Sequence, residues 1–353
     1  MRFFINGDTG DQIHGWVVPD NPNEASRVLV LAPDRPSVEV VATVYNLGMI
    51  DIAVHNTGLV AFIIDDAVFP GLASEARLEI RDATTNIVIY RRHDGARHYT
   101  GRVALLDLSV LPQRRWLNGV TGGFTNVYRG VEGMTYETLD SLVHIHHSPS
   151  LLLVGRPYLK RHFANLKQRD FLVLALLRDP FEDMAERLLF MSMLARAQDP
   201  AALLQFATGL HALVDFSRNL DLTNDRQLLE GFRRPTNEAK AALRDPLTRM
   251  LACEPDEAAK HIHVTQALDM LSSIDVVGAR DRFGEFRTIC AGVVGMDMFD
   301  GFNPNASPAV RALADRLSRI SVVQNLLEHD LALYSYATEA IDLGNATVSA
   351  ASA

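Results

Sequence analysis

One stretch of this chain, Phe171–Leu194, constrains the fold more than any other, because a strand signal in it runs directly into a helix signal. Phe171–Leu177 is an unbroken apolar run, which is typical of a parallel strand covered on both faces. Asp179 and Pro180 then have the positions of a helix N-cap and a first-turn proline. Apolar residues recur after them at helical spacing and form one stripe: Phe181, Met184, Ala185, Leu188, Met191 and Ala195. The stretch therefore predicts a strand–turn–helix unit of an α/β fold.

Arg178 lies where the predicted strand ends and the predicted helix begins. Both places bind anions in α/β proteins, because strand carboxyl ends and helix amino termini border the ligand crevice. A buried arginine is costly without an anionic partner. That partner is either a bound ligand or one of the neighbouring carboxylates, Asp179 and Glu182, and the sequence leaves both alternatives open.

The segment Arg178–Glu182, R-D-P-F-E before an apolar helix, resembles the 3′-phosphate-binding segment of sulfotransferases that use phosphoadenosine phosphosulfate. Two later blocks, Ile274–Gly295 and Asn303–Ala337, are similar to the carboxyl-terminal part of bacterial carbohydrate sulfotransferases. That part closes on an acidic Asp-x-x-x-Tyr ending, which here contains Asp330 and Tyr334. In order and spacing these blocks resemble the sulfotransferase-like proteins of bacterial capsule and exopolysaccharide loci.

The resemblance implies where the donor's 5′-phosphosulfate would bind. Its loop would follow the predicted strand Val103–Leu108, and there the chain has Ser109, Arg114 and Arg115 but no glycine-flanked Lys-Ser/Thr core. Glycines suit such a loop because its backbone amides must approach the phosphate closely. Alternatively, Arg114 and Arg115 belong to a solvated turn.

The resemblance also implies a 3′-phosphate site made by Arg178 and a residue of the following helix. Sulfotransferases have a serine at that second position, whereas this chain has Glu186. A carboxylate repels a phosphate. Alternatively, Glu186 lies on a solvated helix face, since Asp183 and Arg187 have the spacing of an ion pair beside it.

Sulfuryl transfer needs a base that takes the proton of the acceptor hydroxyl, and a Glu or His can serve. Glu137 falls where a helix lining the cleft would begin, and His146 falls at a predicted strand end near the cleft. Both are our candidate bases, the alternative being a surface glutamate and an ordinary hydrogen-bonded histidine. His144, His146 and His147 also suggest a metal site, but no Cys or acidic residue follows at a ligand spacing, so we predict none.

A basic segment follows at Gly155–Phe163, with Arg156, Lys160 and Arg161. It predicts either a basic rim for an anionic ligand or an ordinary solvated helix face.

The periodicity of the sequence changes near Gly101. Residues 1–98 contain short alternating runs such as Ala76–Asp82, which predict a small antiparallel β-sandwich. Residues 99–343 alternate strands with long amphipathic helices. They predict an α/β domain, and the resemblance implies that this is a sulfotransferase-like domain with a P-loop-NTPase-like parallel sheet. The small and polar residues 344–353 predict a disordered tail.

Composition excludes several classes of protein. A net charge of −9 argues against general nucleic-acid binding, which depends on neutralising phosphates. The first residues lack the apolar core of a signal peptide, and no run approaches the roughly 18 apolar residues of a membrane span. Two cysteines do not make a disulfide framework. We therefore expect a cytoplasmic protein.

The resemblance implies two alternative functions. The first is transfer of a sulfuryl group from a phosphoadenosine phosphosulfate-type donor to a saccharide hydroxyl in surface polysaccharide production. The second is a non-catalytic binding or assembly protein of the same fold and pathway. The fold alone cannot choose between them, because function depends on the site.

Overall fold

A computed structural model describes the backbone of residues 1–92, 98–107, 114–196 and 211–351. Side chains are described within these ranges except at 107, 114–115 and 345–351. Ser109 therefore lies outside the described residues, and the side chains of Arg114 and Arg115 do as well.

The amino-terminal part consists of two antiparallel sheets of four strands each. The strands, in chain order, are β1 (Arg2–Asp8), β2 (Ile13–Val18), β3 (Arg27–Leu31), β4 (Val38–Val41), β5 (Val44–Tyr45), β6 (Leu59–Ile64), β7 (Glu79–Asp82) and β8 (Val88–Arg91). They pair in the orders β1-β2-β6-β5 and β4-β3-β7-β8. Leu78 and Ile80 are fully buried, as the alternation in Ala76–Asp82 predicted, and β7 pairs with β8 as a hairpin.

The second part contains a parallel sheet of five strands. Its strands are β9 (Gly101–Asp107), β10 (Asn126–Arg129), β11 (Ser150–Gly155), β12 (Phe171–Leu177) and β13 (Val276–Ala279). They pair in the order β10-β11-β9-β12-β13, so β9 lies between β11 and β12. The sequence predicted a parallel sheet in the second part of the chain. The strand that begins at Gly101 and the strand Phe171–Leu177 are neighbours in that sheet, so this prediction is confirmed. Because the chain builds the sheet first on one side of β9 and then on the other, β9 is the topological switch point, beside which α/β proteins bind ligands.

Helices cover this sheet and extend beyond it. In chain order, with the short α1 of the first part included, they are α1 (Leu47–Asp51), α2 (Arg114–Thr121), α3 (Tyr136–Val143), α4 (Leu159–Gln168), α5 (Pro180–Arg196), α6 (His211–Arg218), α7 (Asp225–Arg233), α8 (Asn237–Leu243), α9 (Pro246–Ala252), α10 (His261–Ser272), α11 (Phe283–Val294), α12 (Pro308–Leu317), α13 (Ser321–Leu326) and α14 (Glu328–Ala351). The backbone of α14 continues past Gly344, where the sequence predicted that a disordered tail would begin. In the part of the chain that the structure describes, no helix is long and apolar enough to cross a membrane.

One apolar core joins the two parts of the molecule. Its buried residues include Phe62 and Ile80 from the two antiparallel sheets, and Leu153 and Val173 from the parallel sheet. The other face of the parallel sheet packs on α2 and α11 around Trp116 and Phe286. Helix α5 leads into a separate helical core with α6, α7 and α12.

Candidate functional site

A cavity of about 390 Å³ lies at the carboxyl ends of β11 and β12. Both strands flank β9, so the cavity is next to the switch point of the sheet. Six of its charged lining residues are Arg156, Arg178, Asp183, Arg187, Arg249 and Asp330. They come from the residues directly after β11 and β12 and from α5, α9 and α14, so distant parts of the sequence converge on one site.

Local structure places Arg178 at this cavity. The residue follows the last residue of β12, and Asp179 caps α5 by accepting hydrogen bonds from the backbone N–H groups of Phe181 (2.9 Å) and Glu182 (3.0 Å). The predicted N-cap is therefore confirmed. Only 2% of Arg178 is exposed, so its guanidinium needs compensation inside the protein.

Glu186 provides part of that compensation. Its Oε2 accepts a hydrogen bond from Arg178 Nη1 at 2.5 Å, and its Oε1 lies 2.7 Å from Nη1 of Arg280, which follows β13. Glu186 is as buried as Arg178, so the interpretation as a solvated helix face is wrong. The neighbouring carboxylates that the sequence offered as partners of Arg178 do other things: Asp179 caps α5, and Glu182 lies 3.7 Å from Arg280.

The remaining edge of Arg178 has no hydrogen-bond partner among the described residues. Nε and Nη2 are both buried and make no hydrogen bond within the described ranges of the chain. These two N–H groups point the same way and form the fork that binds two oxygens of a carboxylate, phosphate or sulfate. Because unpaired buried donors are costly, the fork marks a place for an oxyanion.

A second unsatisfied group lines the same cavity. Asp183 is 8% exposed, and its Oδ2 accepts a hydrogen bond from Nε of Arg187 at 2.6 Å, the pair that the sequence predicted. Its Oδ1 is buried and accepts no hydrogen bond from any described residue. Arg249 contributes a further unpaired Nε, while its two terminal nitrogens donate to the carbonyl oxygens of Ala241 and Pro255.

Asp330 is the most perturbed acid of the cavity. Its carboxylate oxygens accept the N–H groups of Leu247 (2.9 Å) and Thr248 (2.7 Å), the first turn of α9. Burial, followed by repulsion from the carboxylate of Asp245, raises the pKa of Asp330 to about 7. Asp245 is also fully buried and accepts a hydrogen bond from Nδ1 of His329 at 2.8 Å, depending on the tautomer. A carboxyl with this pKa can exchange a proton near neutral pH.

Glu137 and His146 lie elsewhere. Glu137 is 4.0 Å from Arg2 of β1, and the ring of His146 stacks on Phe4 of the same strand at 4.6 Å. The structure therefore brings these two candidate bases to one strand, but neither lines the cavity with Arg178. His144 is the C-cap residue of α3, and His146 lies between α3 and β11, so the predicted strand end at His146 is wrong. Burial lowers the pKa of His147 to about 4.

The basic segment is divided between two roles. Arg156 lines the cavity, where its backbone N–H and its guanidinium contact Glu132 at 3.0 and 3.4 Å. Lys160 and Arg161 pair on the surface of α4 with Glu257 and Glu254. Of these three basic residues, only Arg156 therefore lines the cavity.

One group in the described chain has the composition of a metal site: Cys253, Glu257 and His263. His263 is 4% exposed. Its Nδ1 accepts the backbone N–H of Lys260 at 3.0 Å, and Nε2 lies 3.2 Å from Glu257. Since both ring nitrogens already have protein partners, the group is explained as a cap of α10.

Four of the six charged residues named above were not recognised in the sequence as site residues: Asp183, Arg187, Arg249 and Asp330. Asp183 could be read only as the helix partner of Arg187, and Arg249 resembles any arginine of a surface helix. Asp330 carried one signal, its place in the sulfotransferase-like ending. Its burial depends on α9, which precedes it far along the chain.

Comparison with protein-family models, with curated proteins and with solved structures gave no match to this chain. The resemblance to sulfotransferases accordingly stays a prediction from the sequence.

Proposed function

We propose that this chain binds a phosphate-bearing nucleotide at Arg178 and transfers a sulfuryl group from a phosphoadenosine phosphosulfate-type donor to a saccharide hydroxyl. The observation that carries the proposal is the unpaired Nε–Nη2 fork of Arg178 in the cavity beside the switch point. It is supported by the segment R-D-P-F-E, in which Arg178 has the position of a sulfotransferase 3′-phosphate ligand. In this proposal the chain forms a small β-sandwich that is followed by a sulfotransferase-like domain.

The reaction would be an in-line displacement at sulfur. The bond from sulfur to the donor's phosphate oxygen breaks, a bond from sulfur to the acceptor oxygen forms, and the proton of the acceptor hydroxyl moves to a base. Arg178 would hold a donor phosphate through two parallel N–H···O bonds and fix its position. Asp330 is better placed as the base than Glu137 or His146, because it lines the cavity.

One observation favours the non-catalytic alternative. The carboxylate of Glu186 contacts both Arg178 and Arg280, so negative charge of the protein itself already neutralises part of the arginine pair. Less positive charge then remains for a donor phosphate, although the free fork can still bind a ligand. A chain of this kind would bind a nucleotide or a saccharide phosphate without transfer.

Two measurements on wild-type protein test the proposal. The first is calorimetric binding of 3′-phosphoadenosine 5′-phosphate, and the second is transfer of labelled sulfate from the intact donor to a panel of bacterial polysaccharides. Binding with transfer supports the enzyme, and binding without transfer supports the binding protein. If the nucleotide fails to bind, the sulfuryl-transfer enzyme and a nucleotide-binding protein are both rejected.

A further inference from the structure

The cavity offers its ligand an acceptor as well as a donor fork. Oδ1 of Asp183 is buried and unpaired among the described residues, and so is the Nε–Nη2 edge of Arg178. Both side chains line the same cavity. A ligand pocket orients its ligand through a few placed polar groups. The two groups together therefore indicate which polar groups the ligand carries.

Arg178 and Asp183 are also connected through Glu186 of α5. Glu186 contacts Arg178 directly, and Asp183 precedes Glu186 by three residues on α5. Side chains three apart on a helix are neighbours on one face, about 5–6 Å between Cβ atoms. A ligand that reaches the fork of Arg178 is therefore within about one helical turn of Asp183.

We propose that the cavity selects a phosphate or sulfate ester that carries a free hydroxyl beside the ester group, with the anionic oxygens on Arg178 and the hydroxyl donating to Oδ1 of Asp183. An ionised carboxylate only accepts hydrogen bonds, so Asp183 requires a donor from the ligand. This inference rests on the oxyanion site of the proposed function and adds its ligand class. The nucleotide donor belongs to that class, because a 2′-hydroxyl stands next to its 3′-phosphate, and so do many sugar phosphates.

Two simple esters isolate the hydroxyl. Glycerol 1-phosphate and 3-hydroxypropyl phosphate have the same charge, chain length and terminal hydroxyl, but only the first has a hydroxyl beside the ester carbon. In calorimetric titrations of wild-type protein we expect glycerol 1-phosphate to bind about tenfold more tightly, since 3-hydroxypropyl phosphate leaves the buried acceptor unpaired. Equal affinities would overturn the inference, and so would binding of neither ester at millimolar concentration.

Two variants show whether Asp183 causes the preference. Asp183→Ala should bind both esters alike, because the acceptor is gone. Arg187→Met breaks the same ion pair but keeps the acceptor, so the tenfold preference should persist there. If the preference survives in Asp183→Ala, a different residue reads the hydroxyl and the assignment is wrong. The wild-type comparison stands even where a variant fails to fold.

The outcome is separable from that of the proposed function. A preference for glycerol 1-phosphate without binding of 3′-phosphoadenosine 5′-phosphate keeps the inferred ligand class and rejects the nucleotide donor. Nucleotide binding with no preference between the two esters does the reverse.

Discussion

Arg178 lines the cavity and contacts Glu186 through Nη1. Its Nε and Nη2 make no hydrogen bond with the described residues. Lysine can keep the ion pair with Glu186, but its single ammonium cannot reproduce two parallel N–H groups. Arg178→Lys should therefore weaken binding of 3′-phosphoadenosine 5′-phosphate by about tenfold or more, with a small change in melting temperature. Calorimetry and thermal unfolding of the same variant measure both quantities.

The control for this variant is Arg226→Lys, on an arginine whose side chain is 88% exposed on α7. It should change neither quantity. If Arg178→Lys lowers the melting temperature and leaves nucleotide affinity alone, Arg178 is a structural residue and its functional role is rejected.

Asp330 predicts a specific dependence of stability on pH. The pKa of its carboxyl is raised to about 7, so between about pH 4 and pH 7 the folded chain keeps a proton that the unfolded chain has released. Since the folded state then binds more protons, the contribution of this group to stability falls as pH rises through that window and levels off above it. Asp330→Asn carries no titrating proton and removes this loss.

The measurement is urea unfolding of wild type and Asp330→Asn at pH 5 and pH 8. We expect the free energy of unfolding of the variant, relative to wild type, to increase by about 2 kcal/mol between the two pH values. Asp51→Asn, at an exposed position of α1, is the control and should show no such change. A constant difference between Asp330→Asn and wild type would mean that Asp330 does not titrate in this range.

At the scale of elements, α5 joins the ends of two neighbouring strands. Glu186 from this helix lies between Arg178 after β12 and Arg280 after β13. Glu186→Gln removes the negative charge and leaves two buried arginines less compensated, which should cost about 3–5 kcal/mol in stability. The same change should strengthen binding of 3′-phosphoadenosine 5′-phosphate, because Arg178 then keeps more of its positive charge for the ligand.

Urea unfolding and calorimetry of Glu186→Gln test these opposite effects. Glu182→Gln is the matched control, since the Glu182 carboxylate is partly exposed and lies 3.7 Å from Arg280. Wild-type stability in Glu186→Gln would show that the three-residue cluster contributes little, and unchanged affinity would show that Glu186 does not limit ligand binding.

The elements around Arg178 could be predicted because their signals are local. β12 begins and ends where the apolar run does, and the N-cap of α5 needs only residues 179–182. The contact of Glu186 with Arg280 could not be predicted, because the pairing of β13 with β12 brings Arg280 to Glu186. The sequence predicts Glu137 at the cleft as the start of a helix and His146 as a strand end, whereas contacts with β1 hold both residues elsewhere.

At the scale of the molecule, the change of periodicity near Gly101 marks a change of sheet type but not of core. Apolar residues of both antiparallel sheets and of the parallel sheet belong to one buried cluster. Hydrogen bonds cross the same boundary: Tyr128 Oη of β10 donates to the carbonyl of Val88 at 2.8 Å, and Arg91 donates to the carbonyl of Thr125 at 2.6 Å. Alternation within each strand predicts an inward face, yet it does not say what that face packs against.

The shared core predicts that the two parts unfold together. The chain has two tryptophans, and they lie on either side of the boundary: Trp16 in β2 and Trp116, fully buried, in α2. In Trp16→Phe the fluorescence reports the α/β part alone, and in Trp116→Phe it reports the antiparallel sheets alone.

For each variant we expect the fluorescence midpoint in urea to coincide with the midpoint from far-ultraviolet circular dichroism, because neither part can lose its packing without exposing the common core. Trp116→Phe should itself lower the midpoint, since it removes the hydrogen bond from Nε1 to the carbonyl of Met298. Two separated transitions, with Trp16 changing at a lower urea concentration than the circular dichroism, would mean that the antiparallel sheets are an independent unit whose contacts with the parallel sheet add little stability.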